Sequence, residues 1–490
     1  MRISHIDLAI LLTYLAGITW FGARLRRGQQ NLRDYFLAGR TAPWLALACS
    51  IVATETSTLT IISTPGIAYA GNLGFLQLVL GYLVARVVLC VVFVPRYFQG
   101  EFYTAYQLLE KRFGSRVKSV AAVVFLATRA VAEGVRISAI GKVVSVAFGT
   151  GERVSVAIIT ILTLFYTFEG GMKAVIWTDV LQFCLYLAGS VAAFFLLLHR
   201  IPGGWFGVAH AAATSGDKLR IFDFTFSLTQ SYTFWSGLIG GTFLTMASHG
   251  TDQTIVQRLL AARNERDSKV ALLSSGVIIL VQFTLFLLIG TMLFVYDRRF
   301  VAPGVIGDPD KLFPEFVVTG MPVGLVGIVL ASIFAIAMSN ASGSLNSLAS
   351  SSVIDFSRYR SRQVQDQAGQ LHRSRRTTLV WGLILGAFGL VNWGPVLVAG
   401  LTIASITYGG LLGTFLLGMW NPRANSTGAI VGMISGISAM ITVKLYTPLA
   451  WTWFVLAGTI ITFVVGSIMS YATSTASPAA PATLHGKATP

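Results

Sequence analysis

The sequence predicts an all-α polytopic membrane protein with thirteen transmembrane helices. Of its 490 residues, 54% are hydrophobic and only 11% are charged, and the mean hydropathy is +0.70. The apolar residues fall in many runs of about 20, the length of helix that crosses a hydrocarbon core. The alternating segments typical of a membrane β-barrel are absent from the sequence, so every span is predicted to be a helix.

The thirteen predicted spans follow the apolar runs. In order they are 5–24, 42–70, 74–96, 118–148, 153–169, 172–199, 231–258, 269–296, 322–355, 377–394, 397–419, 427–446 and 450–472. The first run is too long for a signal peptide and has no small-residue cleavage site, so we expect it to be retained. The stretch 473–490 is rich in Pro, Ala and Thr, which predicts a disordered tail.

Basic residues indicate the orientation of these spans. With thirteen spans, the loops at 24–40, 96–118, 258–269 and 355–376 all lie on one side, and each carries an excess of Arg and Lys. The positive-inside rule makes that side the cytoplasm, with the N-terminus outside and the C-terminus inside. The same rule explains the net charge of +16 without a nucleic-acid partner.

The stretch ALACSIVATETSTLTIISTPG at 46–66 places a glutamate and a run of hydroxyl residues inside the second span. The β-branched residues between Thr54 and Thr60 lower helix propensity, and we expect Pro65 and Gly66 to close the segment. We predict a helix interrupted near 53–57, whose freed carbonyls can bind a cation such as sodium. The alternative is a continuous helix whose hydroxyls bond to carbonyls one turn earlier.

A second dense set of oxygen donors occurs in AIAMSNASGSLNSLASSSVIDFSR at 335–358. Ser339, Ser342 and Asn346 are spaced i, i+3, i+7 and share one helical face, with Asn340 beside them. This density indicates a ligand site, although small residues also permit close helix packing.

A carboxylate, Asp179, lies about nine residues inside its span, roughly 13 Å deep at 1.5 Å per residue. At that depth it must be paired, protonated or bound to a cation. Both a cation site and an ion pair with Lys173 or another basic residue satisfy this requirement.

A charged stripe crosses the fourth span, where Arg129, Glu133 and Arg136 are spaced i, i+4, i+7. Glu133 can neutralise one arginine and Glu55 the other, which would give a closed structural network. An arginine left over would be a fixed positive charge suited to a substrate carboxylate. The sequence leaves both interpretations open.

Together these motifs resemble the solute:sodium symporters, which include sodium-coupled sugar, proline, pantothenate and sialic acid transporters. The resemblance covers about residues 5–472. Its landmarks are DYFLAGR at 34–40, ATETSTLTIISTPGIAYAG at 53–71, FEGGMKAVIWTDVLQ at 168–182, HGTDQTIVQRLLAARN at 249–264 and MSNASGSLNSLASSSVIDFSR at 338–358.

The resemblance implies a LeuT-like core of two inverted five-helix repeats, each beginning with a helix that is broken at mid-membrane. The second break is expected within 231–258, where GLIGGTFLTMASHG supplies glycines and polar residues. The implied organisation is a first helix and loop at 1–41, repeat one at 42–199, an extracellular loop at 200–230, repeat two at 231–419, two C-terminal helices at 420–472 and the tail at 473–490.

The resemblance also implies ion sites. The family's main sodium site maps to the carbonyls of Ala53, Thr56 and Ile336, the Ser339 hydroxyl, and Asn340, where the family commonly has Ser or Thr. A second sodium site, present in some members, maps to Asp179, Ser339 and Ser342, with Gly343 in place of a further serine.

Substrate-lining positions of the family map to polar residues on both broken helices and the third span. They are Ser57, Thr60, Gln77, Thr245, Ser248 and His249, and the charged residues Glu55, Arg129, Glu133 and Arg136 are expected nearby. His249 by itself is equally compatible with a packed interfacial histidine.

The implied function is sodium-coupled import of a small organic solute by alternating access, in a bilayer such as the bacterial inner membrane. Sodium is the coupling ion, and no other cofactor and no enzymatic activity are expected. The arginines favour an amino acid or other carboxylate. The alternatives are proton coupling through Asp179 or Glu55, and a channel or receptor that does not accumulate its solute.

Overall fold

The computed structural model describes residues 3–25, 37–100, 102, 104–166, 172–300, 308–354 and 367–474. Within these ranges the chain is almost entirely helical. Its α-helices are α1 (His5–Leu25), α2 (Trp44–Glu55), α3 (Thr58–Ala70), α4 (Leu76–Val92), α5 (Val94–Phe98), α6 (Tyr106–Phe113), α7 (Ser115–Phe148), α8 (Glu152–Tyr166), α9 (Met172–Arg200), α10 (Gly204–Thr214), α11 (Phe234–Gly250), α12 (Gln253–Leu260), α13 (Glu265–Phe300), α14 (Leu312–Gly320), α15 (Leu325–Ile354), α16 (Gln367–Gly389), α17 (Val396–Trp420), α18 (Ser426–Tyr446) and α19 (Phe454–Thr473).

Every predicted span overlaps one of these helices or a broken pair of them. By length and composition, seven helices of the described chain qualify as membrane spans, and the bent pair α2 and α3 gives an eighth. The total of thirteen and the inverted-repeat arrangement therefore remain predictions. The loop predicted at 200–230 contains α10, and α14 lies between α13 and α15.

The helix that contains 46–66 is broken, as predicted, and its halves α2 and α3 are bent by 65°. The break falls at Thr56 (φ −78°, ψ 100°) and Ser57 (φ −97°, ψ 172°), both in the extended region of backbone space. β-Branched residues favour extended backbone over helix, so a run of them can leave the helical conformation at little cost in free energy. This is why the break falls there.

The expectation that Pro65 and Gly66 close this segment is wrong, because α3 continues through them to Ala70. Proline removes one hydrogen bond from a helix interior. The neighbouring α13 approaches the helix closely at this point, since a β-carbon added to Gly290 would lie 2.0 Å from the Pro65 carbonyl oxygen. The helix therefore continues past the proline in close contact with α13.

A second interruption separates α11 from α12, inside the segment predicted for it. The intervening residues are Thr251 and Asp252. The Asp252 carboxylate accepts a hydrogen bond from the Thr254 N–H at 2.8 Å and so caps α12. This bond satisfies one of the amide groups that a helix start leaves free.

Close packing joins the helices around the two breaks. α13 packs against both α2 and α3, α9 packs against α2, and α4 packs against α11. The contact between α4 and α11 depends on glycine, since a β-carbon on Gly81 would lie 2.5 Å from the Leu238 carbonyl oxygen. The broken helices are therefore fixed by neighbours on several sides.

We expect Gly81→Val to destabilise the protein by about 1–3 kcal/mol or more, because the added side chain must separate α4 from α11. The measurement is thermal unfolding of the detergent-purified protein. Gly17→Val on α1 is the matched control, since a β-carbon there meets no atom within 4 Å. Equal melting temperatures for the two variants would contradict the close α4–α11 packing.

Candidate functional site

A cavity of about 150 Å³ lies between the two broken helices. Its walls come from α2, α3, α7, α11, α12 and α17, with aromatic side chains such as Phe75 and Phe283 closing its sides. The polar lining residues are Thr54, Glu55, Ser57, Thr60, Tyr82, Thr128, Arg129, Arg136, Thr245, Ser248, His249, Asp252, Thr254 and Tyr408. The structure thus brings together the predicted substrate residues, except Gln77 and Glu133.

Gln77 is buried beside the cavity and its amide is engaged elsewhere. Its Nε2 donates to the carbonyls of Gly74 at 3.1 Å and Tyr232 at 3.0 Å. Its Oε1 accepts from the Asp223 N–H at 2.9 Å. These bonds connect α4 to the loop that precedes α11, which gives the side chain a structural role in this conformation.

Glu133 is buried behind the cavity wall, where it bridges α7 and α15. Its Oε2 lies 3.1 Å from Arg136 Nη1 and accepts from the Ser344 hydroxyl at 2.7 Å. Ser344 in turn accepts from Arg129 Nε at 2.9 Å. Glu133 therefore orients both arginines and has no contact with the cavity itself.

The arginine stripe is balanced by Asp252, a residue the sequence reasoning missed. Arg129 lies at the long distances of 4.0 Å from Asp252 and 3.9 Å from Glu133. Asp252 also accepts a hydrogen bond from the Tyr408 hydroxyl at 2.9 Å. Arg136 pairs with Glu133 through Nη1 but retains a buried Nε–H with no hydrogen-bond partner in the described chain. On this side of the cavity, Arg129 therefore has its carboxylates only at long distances, and Arg136 has one N–H without a partner.

Of the two interpretations left open by the sequence, the one in which Glu55 neutralises an arginine of this stripe is wrong, because Glu55 pairs with Arg86 on α4. The break turns the end of α2 toward α4, so its last residue faces that helix and not α7. Arg86 is 1% exposed and also donates to the Ser275 hydroxyl at 3.2 Å and the Tyr82 carbonyl at 3.1 Å. The sequence reasoning missed Arg86, although a basic residue within the apolar run 74–96 is a signal by which it could have been found.

His249 joins the Glu55 group at the cavity wall. Its Nε2 lies 3.5 Å from the Glu55 carboxylate and its Nδ1 lies 2.9 Å from the Ser248 hydroxyl. The cavity lining therefore contains two groups of polar side chains: Glu55 with Ser248 and His249, and Arg129 with Arg136. Apolar side chains also line the cavity.

The break in the first helix releases the two carbonyls that were assigned to a sodium site. In a continuous helix the Ala53 carbonyl would accept from the Ser57 N–H, which donates instead to Thr60 Oγ1 at 3.3 Å. The Thr56 carbonyl would accept from the Thr60 N–H, which donates instead to the Ser57 carbonyl at 2.9 Å. Both oxygens therefore lose their helical partners and are available to a cation.

The other residues of that site lie on α15. Ile336 and Asn340 are buried there, and Asn340 Nδ2 has no hydrogen-bond partner in the described chain. α15 packs against α3, the half-helix that follows the break. The side chains of Ser339 and Ser342 lie outside the described part of the structure.

Asp179 forms an ion pair with Arg258 on α12, at 2.9 Å. The Asp179 Oδ2 also accepts from the Ser50 hydroxyl at 2.6 Å, and Ser50 accepts from Arg258 Nε at 2.9 Å. The sequence reasoning placed Arg258 in a cytoplasmic loop, which is wrong, since it is 5% exposed on α12. The group ties α2, α9 and α12 together.

Comparison with known proteins identifies the fold and its family. The profile described as "Sodium:solute symporter family" matches residues 35–436. The human sodium/iodide cotransporter is 30% identical over 89% of this chain and 69% of its own length. The human sodium-coupled monocarboxylate transporter 2 is 27% identical over 89% of this chain and 71% of its own length.

A solved structure is also similar to this chain. A substrate-bound, outward-open Na⁺-coupled sialic acid symporter superposes with a TM-score of 0.86 and 26% identity, over 96% of this chain and 98% of that one. These similar proteins are membrane transporters that bind sodium and a small solute. They are not enzymes, as the sequence predicted.

We expect Arg86→Gln to destabilise the protein by about 3–5 kcal/mol, because the largely enclosed Glu55 carboxylate then loses its arginine. The double variant Glu55→Gln/Arg86→Gln removes both charges and is expected to recover most of that loss. Thermal unfolding in detergent measures both effects. A double variant no more stable than Arg86→Gln would contradict the pairing.

Proposed function

Because the chain belongs to the sodium:solute symporter family, we propose that it uses the sodium gradient to import a small carboxylate, such as an amino acid or another short organic acid. Transport proceeds by alternating access around the cavity between the broken helices. The proposal includes thirteen spans in a bacterial inner membrane, with the N-terminus outside and the C-terminus in the cytoplasm.

The cavity wall formed by Arg129 and Arg136 is the observation that carries the substrate class. Arg129 is only loosely paired, at 3.9 Å and 4.0 Å from its carboxylates, and Arg136 has a free buried N–H. Guanidinium groups bind carboxylates in a planar, bidentate geometry that few other side chains provide. A substrate carboxylate at this wall would complete the coordination of both arginines.

The size of the cavity supports a short substrate. A space of 150 Å³ accommodates a molecule of about the size of benzene, which matches an acid with few carbon atoms. The names of two similar proteins specify iodide and monocarboxylates, both of them small anions. A larger acid would require the cavity to widen.

The group formed by Glu55, Ser248 and His249 gives a second element of selectivity. It supplies an anionic carboxylate, a hydroxyl and a ring nitrogen. These groups suit a hydroxyl or amino group on the substrate. An amino or hydroxy acid would therefore have a polar partner in the cavity for each of its functional groups.

Sodium is proposed to bind at the first break, through the carbonyls of Ala53 and Thr56 and, from α15, the Ile336 carbonyl, Ser339 and Asn340. An ion there connects the broken helix to α15 and favours the conformation that binds substrate. Coupling arises because sodium binds this conformation more tightly than the other. A second ion at Asp179, Ser339 and Ser342 would share the Asp179 carboxylate with Arg258 and Ser50.

We expect proteoliposomes containing the protein to accumulate amino acids or short carboxylates when an inward sodium gradient is imposed. Arg129→Gln and Arg136→Gln should each lower uptake efficiency about 10- to 100-fold, the effect of losing a hydrogen bond to a charged group. Arg220→Gln is the control, because Arg220 is exposed outside the cavity.

Three outcomes would contradict the proposal. If the protein accumulated neutral sugars and accumulated no carboxylate, the arginines would not be binding a substrate carboxylate. Uptake driven by a pH gradient in sodium-free buffer would assign coupling to protons. Equilibration without accumulation would identify a channel.

Ser339→Ala is expected to raise the sodium concentration for half-maximal uptake about two- to ten-fold, since one neutral ligand is lost. Ser332→Ala is the matched control. Ser332 is buried on the same helix and its hydroxyl donates to the Val329 carbonyl at 2.7 Å. If uptake by the wild type and by Ser339→Ala depended on sodium concentration in the same way, Ser339 would be excluded from the site.

A further inference from the structure

A ring of three buried polar side chains surrounds the break in the first helix. The Tyr186 hydroxyl, on α9, donates to Gln282 Oε1, on α13, at 2.7 Å. Gln282 Nε2 donates to the hydroxyl of Thr56 at 2.7 Å. The Thr56 and Tyr186 hydroxyls lie 3.3 Å apart, which closes the ring. Each of these residues is at most 1% exposed.

The ring contacts the broken helix at the residue where the backbone leaves the helical region. Thr56 is the first residue of the break, and its own N–H still bonds to the Val52 carbonyl at 2.8 Å. Its carbonyl no longer has a helical partner. With the N–H bonded within α2 and the side chain bonded to α9 and α13, the orientation of that carbonyl is determined.

We propose that Tyr186 and Gln282 are positioning residues for the sodium site, which hold Thr56 so that its carbonyl points into the site before the ion arrives. The inference rests on the proposed sodium site at the break. Carbonyl oxygens that converge on an empty site repel one another, so an unsupported extended segment would relax away from that geometry. Hydrogen bonds in a closed, buried ring polarise one another and resist such relaxation.

The composition of the ring supports this role. A threonine at a break needs no partner on two other helices, because its hydroxyl can bond to a carbonyl of its own helix. Thr54, two residues earlier, does this with the Ser50 carbonyl at 2.7 Å. Thr56 instead uses partners on α9 and α13, which both pack against α2.

The test compares three variants that leave the Thr56 carbonyl in place. They are Gln282→Met, Thr56→Val and Tyr186→Phe. We expect the first two to raise the sodium concentration for half-maximal response about two- to ten-fold, the effect of a lost neutral hydrogen bond. Tyr186→Phe should raise it less, because the Gln282–Thr56 bond survives. Thr56→Ser retains the hydroxyl and should behave as the wild type.

Sodium alone serves as the probe, titrated as the chloride against choline chloride at constant ionic strength. The readouts are the sodium-dependent rise in melting temperature and uptake in proteoliposomes. The substrate concentration for half-maximal uptake at saturating sodium should stay near the wild-type value. Thr291→Val is the matched control, because Thr291 is buried on α13 and its hydroxyl donates to the Leu287 carbonyl of the same helix.

The double variant Gln282→Met/Thr56→Val separates positioning from general destabilisation. If the two residues act through one bond, the double variant responds to sodium like the single variants and the effects do not add. Additive effects, or sodium curves that match the wild type while melting temperatures fall, would overturn the inference. A wild type without any sodium response would instead refute the proposed sodium coupling.

Discussion

The interruption of the first broken helix at Thr56 and Ser57 is the constraint on which the rest of this structure depends. Without it, the carbonyls of Ala53 and Thr56 would be bonded within a continuous helix and could not bind a cation. The same interruption turns Glu55 toward Arg86 and exposes Ser57 and Thr60 to the cavity. One change of backbone direction therefore defines both the proposed ion site and one wall of the substrate cavity.

The location of the break could be predicted because its cause is local. β-branched and hydroxyl residues weaken the helix regardless of their surroundings, and the sequence displays them directly. The continuation of α3 past Pro65 could not be predicted, because the helix that packs closely against it there, at Gly290, comes more than 200 residues later. Sequence patterns thus describe where a helix is weak, but tertiary packing decides whether it ends.

The ion pairs show the same contrast between what local sequence indicates and what tertiary packing decides. Spacing correctly placed Arg129, Glu133 and Arg136 on one face, because those residues share a helix. Their further partner Asp252 lies on a distant segment, and periodicity does not indicate which helices meet. Arg86 is different, since a basic residue within an apolar run is visible in the sequence and only its partner was hidden.

The charges around the cavity give a physical reason for coupling sodium to an acid. Three arginines, Arg86, Arg129 and Arg136, face three carboxylates, those of Glu55, Glu133 and Asp252, so the side chains are balanced when His249 is neutral. A substrate carboxylate that enters this balanced, buried space adds one uncompensated negative charge, which is unfavourable in a medium of low dielectric constant. A sodium ion at the proposed site in the adjacent break would restore neutrality. Each ligand would then lower the free energy of binding the other, which is the reciprocal linkage that symport requires.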